Sequence, residues 1–72
     1  MTEETTIEVQ THQNGELLDR AYAETAEDAI YTARHLIREA ASTGRNPNQL
    51  RATFVAPSGE VVASDLRIQD LR

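Results

Sequence analysis

Residues 25–44 read TAEDAIYTARHLIREAASTG, and this stretch decides the fold. Ala26, Ala29, Ile30, Ala33, Leu36, Ile37, Ala40 and Ala41 recur at spacings of three and four. That is one apolar stripe with a period near 3.6 residues. The other side carries Glu27, Thr32, Arg34, Arg38, Glu39 and Ser42. Thr25 suits an N-cap, because its hydroxyl can accept a free backbone N–H of the first turn. Glu27 and Asp28 place negative charge at the positive end of the helix dipole. Gly44 can take the left-handed conformation that closes a helix, and Pro47 follows as a further stop. The spacing therefore predicts a helix over residues 26–43. Five of these eight residues are alanine, which lets a helix lie close on a flat surface such as a β-sheet.

Working outward, residues 5–12 alternate, with Ile7 and Val9 on one side and Glu8 and Gln10 on the other. Period two with β-branched residues predicts a half-buried strand. Asn14-Gly15 is a strong hairpin signal, since both residues tolerate positive φ. Residues 17–24 form the return strand. An uninterrupted two-residue turn sets Ile7 opposite Tyr22, Val9 opposite Arg20 and Thr11 opposite Leu18. One bulge residue instead puts Leu17, Ala21 and Ala23 on the face of Ile7 and Val9. A one-residue slip exchanges the two faces of a strand. The uninterrupted turn is favoured, because it keeps Tyr22 and Leu18 with the core and lays the Arg20 stem over its edge.

Beyond the helix, Arg45 to Gln49 reads as a polar loop and the mobile connection of the chain. Residues 50–56 predict a third strand and residues 60–67 a fourth. Between them Ala56-Pro57-Ser58-Gly59 fits a type I turn, with Pro second and Gly fourth. Pairing across it sets Val55 opposite Val61, Phe54 opposite Val62, Arg51 opposite Asp65 and Leu50 opposite Leu66. Leu50, Phe54, Val62 and Leu66 then face the helix, and Arg51, Val55, Val61, Ala63 and Asp65 face away. The last residues, LRIQDLR, suit either a continued strand or a short helical turn using Leu66, Ile68 and Leu71; strand through Arg67 is the preferred reading. The whole order is β-β-α-β-β in one small domain, 1–72. The fold class is α+β, a two-layer ββαββ sandwich with one amphipathic helix on one face of a four-stranded sheet of two hairpins. The third strand runs parallel to the second, whatever the strand order.

Composition narrows function. The chain has 72 residues, a net charge of −5 and three aromatic side chains, Tyr22, Tyr31 and Phe54. A negative field opposes binding to nucleic acid and to anionic membranes. No cysteine is present, which removes disulfides and thiol chemistry. No apolar run approaches the length of a membrane span, and the acidic, polar start has no secretory pattern. A cytoplasmic location is expected. All seven basic residues are arginine and none is lysine, which matches GC-rich coding or adaptation to high salt.

No residue pattern carries a cofactor or catalysis. Ser42, Ser58 and Ser64 lie outside any nucleophile motif, and the three glycines are isolated. His12 and His35 lack the spacing of a metal pair. The expectation is a non-enzyme without metal or cofactor. Tyr31, His35 and Arg38, with Glu39, make a minor candidate surface along the helix flank. The acids Glu3, Glu4, Glu8, Glu16, Asp19, Glu24, Glu27 and Asp28 crowd the first 28 residues, where Arg20 is the only basic residue, whereas Arg34, Arg38, Arg45, Arg51, Arg67 and Arg72 follow them. Acids at the helix start and arginines near its end suit the dipole; the same asymmetry also gives a bipolar surface for partner contacts.

One helix covers one face of a sheet. On the other, Leu17, Ala21, Val55, Val61 and Ala63 form a candidate interface. The expected function is a non-enzymatic protein-interaction or accessory module, homodimeric through the uncovered face or an edge strand. An alternative is a small acidic inhibitor, phage-encoded in one version, acting on a basic site of a target protein. A weaker one is nucleic-acid binding through Arg34, Arg38, Arg45 and Arg51, disfavoured by charge and by the lack of stacking aromatics.

Overall fold

A computed structural model describes residues 6–71. Its order is β1 (Ile7–Gln13), β2 (Glu16–Ala23), α1 (Ala26–Ser42), β3 (Leu50–Val55) and β4 (Val61–Leu66). The four strands form one antiparallel sheet in the order β2-β1-β3-β4, with α1 packed on one face. Strand β1 pairs antiparallel with both β2 and β3, so β2 and β3 run parallel with β1 between them. Thr5 of the expected first strand, and Glu3, Glu4 and Arg72 of the charge pattern, lie outside the described residues.

Helix α1 forms where its signals place it. Thr25 Oγ1 accepts from the Asp28 N–H at 3.0 Å. At the far end Gly44 takes φ +104°. The Gly44 N–H donates to Ala41 O and the Arg45 N–H to Ala40 O, the paired bonds of a Schellman cap. Ala29, Ala33 and Ile37 are buried, flanked by Ile30, Leu36, Ala40 and Ala41. They join Val9, Ala23, Leu50, Ala52, Phe54 and Leu71 in the core. Four of these nine buried residues are alanines, so the two layers approach closely.

The first hairpin corrects the favoured register. Asn14 (φ 52°) and Gly15 (φ 84°) make the two-residue turn, and His12 lies opposite Leu17. The next pair is Thr11 with Asp19, which leaves Leu18 as an extra residue in β2. Beyond this bulge Val9 faces Ala21 and Ile7 faces Ala23. The alanines therefore sit on the helix side and Tyr22 stands on the open face, 62% exposed. Size decides this: a tyrosine beneath α1 would hold the layers apart, whereas alanine admits the helix. Leu18 packs against the core, as expected.

The second hairpin slips twice. The Gly59 N–H donates to Ala56 O at 2.8 Å, closing the expected turn, and Val55 does pair with Val61. Phe54, however, faces Ala63 and not Val62, and Ala52, not Leu50, faces Leu66. One extra residue is Val62; the other lies in Ser64–Asp65, where Asp65 takes φ +57°. The expected Arg51–Asp65 pair does not form. Arg51 Nη1 instead donates to the carbonyls of Asn48 and Leu50.

Two connecting segments are more ordered than the polar loop and extended tail expected of them. Pro47–Gln49 is a 3-10 turn capped by the Asn46 side chain, which accepts from the Asn48 N–H. Strand β4 ends at Leu66, and Ile68–Asp70 forms a second 3-10 turn. Asp70 holds it by accepting from the Arg67 N–H at 3.0 Å. That turn delivers Leu71 into the core at 1% exposure. Burying a leucine is worth about 1.5–3 kcal/mol, which a strand running out past Arg67 would forgo.

Candidate interaction surfaces

The face of the sheet that α1 leaves open is set by the bulge at Leu18. It presents three rows of side chains. The first runs across all four strands as Tyr22, Glu8, Val55 and Val61. The second is Arg20, Gln10 and Thr53, and the third is Leu17, His12 and Arg51. A chain of polar contacts follows β1 through these rows. Arg20 Nε lies 2.6 Å from Glu8 Oε2, and Gln10 Nε2 donates to the same oxygen at 3.0 Å. Gln10 Oε1 is 3.2 Å from His12 Nε2. The open face is therefore apolar at its Tyr22–Val61 end and polar along β1.

The five residues of the candidate interface are not brought together. Leu17, Val55 and Val61 stand on the open face, with Leu17 and Val61 at 42% and 56% exposure. Ala21 and Ala63 lie on the helix side, opposite Val9 and Phe54, and Ala63 packs against the core. The bulges at Leu18 and Val62 turn them over. Tyr22, Glu8 and Arg20 replace them. Sequence periodicity did not mark these three, because their common face exists only once β2 has slipped by one residue.

On the other layer, Tyr31, Arg34, His35 and Arg38 line a small recess of about 70 Å³ on the outer surface of α1. This joins the three residues of the minor candidate surface and adds Arg34. His35 Nε2 is 3.2 Å from Glu39 Oε2, and both side chains are mostly exposed. The last turn of α1 holds no basic residue, so complementing the dipole does not explain Arg34 and Arg38. The four arginines considered for nucleic acid are scattered: Arg45 donates to Gln13 Oε1, Arg51 is held by backbone carbonyls, and Arg34 and Arg38 stay on the helix.

Helix α1 lies chiefly over β1 and β2. Beside β4 this leaves an apolar cleft of about 120 Å³ lined by Ile7, Ala26, Ala29, Ile30, Phe54 and Val62. Among the described residues no cluster of three or more His, Asp or Glu could hold a metal ion. No described helix is long and apolar enough to cross a membrane. Compared with protein-family models, with curated proteins and with solved structures, the chain finds no match.

Proposed function

We propose that the chain is a non-enzymatic protein-interaction module that pairs with a second copy of itself through the open face of its sheet. The observation that supports this is the row Tyr22, Glu8, Val55, Val61, which spans all four strands and exposes Tyr22 and Val61 by more than half. A twofold axis parallel to the strands stacks β2 of one copy over β4 of the other. Tyr22 then meets Val55 and Val61 of the second copy, and the contact repeats by symmetry. Glu8 sits inside this row, and burying a lone carboxylate would be costly. It is not alone, because Arg20 and Gln10 already hold it.

The face is preferred over the edges for a structural reason. Both edge strands carry extra residues, Leu18 in β2 and two in β4. Such bulges twist an edge away from regular pairing with another strand. The face measures roughly 20 by 20 Å, from strands about 4.8 Å apart and residues about 3.3 Å apart. That is a small interface, in the size range of weak, transient contacts. Sedimentation velocity at tens of micromolar tests it. The wild-type chain sediments as a dimer and Val61→Lys as a monomer; a wild-type monomer, or a dimer indifferent to Val61→Lys, refutes it.

A further inference from the structure

The recess on α1 belongs to neither the core nor the open sheet face. Tyr31, Arg34, His35 and Arg38 stand at i, i+3, i+4 and i+7, the spacing of one helix face. Tyr31 is 70% exposed. Among the described residues, Arg34 and Arg38 enter no ion pair. Mid-helix placement also denies them a role at the helix end. Two guanidiniums and a phenol thus converge on one hollow of an acidic protein, with no partner for their donors among the described residues. His35 closes the hollow and is itself steadied by Glu39.

We propose that this recess binds a carboxylate side chain of an acidic peptide segment on a partner protein. Arginine offers a planar, paired set of donors that matches a carboxylate, and two of them lie one turn apart. Arginine and tyrosine are also the side chains that most often carry binding energy at protein interfaces. A nucleic acid fits less well. Its repeated phosphates need a basic track, whereas this patch is bounded by Glu27 on one side and Glu39 on the other. Arg45 and Arg51 do not extend it, being held elsewhere. The recess lies on the layer opposite the open sheet face, so a dimer formed through that face leaves it free.

The test is a titration of the full isotope-labelled chain with the tripeptide Glu-Glu-Glu, followed by amide chemical shifts. Saturable shifts confined to residues 31–38 are expected, with none from Lys-Lys-Lys. The double substitution Arg34→Ala, Arg38→Ala weakens binding about tenfold or more while the rest of the spectrum keeps its dispersion. Absence of shifts overturns the proposal, as do shifts centred on Arg45 or Arg51, or binding indifferent to the double substitution. An oligothymidylate that saturates the same residues more tightly than the tripeptide also overturns it, in favour of nucleic acid. Dimerisation is read separately by sedimentation, so the two proposals fail independently.

Discussion

Arg20 Nε and Glu8 Oε2 lie 2.6 Å apart across the first hairpin, on the face of the sheet that the helix does not cover. The pair exists because Leu18 is an extra residue in β2, which brings Arg20 beside Gln10, one diagonal from Glu8. About half of the arginine side chain is exposed, so solvent screens the pair. Arg20→Ala is therefore expected to lower the stability of the folded chain by less than about 1 kcal/mol, measured by urea unfolding at low protein concentration. If the chain pairs through this face as proposed, the effect on pairing is expected to be larger, since Glu8 would lose its cation on being covered; sedimentation reads that difference.

Among the described residues Thr11 is the one buried polar residue, at 1% exposure, and its hydroxyl has no hydrogen-bond partner there. It sits in the central strand opposite Ala52. Thr11→Val replaces an unsatisfied hydroxyl by a methyl of similar size. The substitution is expected to stabilise the chain by about 1 kcal/mol, seen as a higher denaturant midpoint at unchanged slope.

Leu71 is delivered to the core by the 3-10 turn at Ile68–Asp70. Leu71→Ala is expected to cost about 2–5 kcal/mol. A domain of this size has about 4–10 kcal/mol in all, so the variant is expected to lose a large share of its stability, read as a clearly lower urea midpoint by far-ultraviolet circular dichroism. A variant as stable as wild type would show that the tail does not pack.

Gly44 has φ +104° and open space where a Cβ would stand. Gly44→Ala therefore meets no clash, and its cost is backbone strain alone. A loss of about 1–2 kcal/mol is expected, with the helix content of the folded state unchanged.

Features written in short local signals were legible in the sequence. The caps at Thr25 and Gly44, the Asn14-Gly15 turn and the Ala56–Gly59 turn each rest on the conformational preference of one or two residues. From them follow the element order and the α+β sandwich. What failed was register. A period-two pattern states which residues alternate but not where a residue is inserted, and the three insertions at Leu18, Val62 and Ser64–Asp65 follow from how the layers close. Under an alanine-rich helix, Ala21 and Ala23 fit and Tyr22 does not, and that comparison needs both layers in place. Asp65 carried a weak local hint, because aspartate tolerates positive φ. The tail was too short for any period to favour the turn that buries Leu71. The helix flank is legible in part: Tyr31, His35 and Arg38 stand out by spacing, and Arg34 belongs with them because it lines the same recess.

The chain has no cysteine, which allows a direct measurement of pairing. Tyr22 and Val61 stand on strands at opposite edges of the sheet, about 14 Å apart by strand spacing, too far for a disulfide within one copy. In the twofold pairing they face each other between copies. Stacked sheets lie about 10 Å apart, so the link needs a short bismaleimide of about 8 Å reach: the double variant Tyr22→Cys, Val61→Cys, treated with it at tens of micromolar, is expected to run as a covalent dimer on denaturing gels, with Glu27→Cys on the helix as a control that stays monomeric. A double variant that stays monomeric, or that cross-links no more than the control, would contradict pairing through the open face.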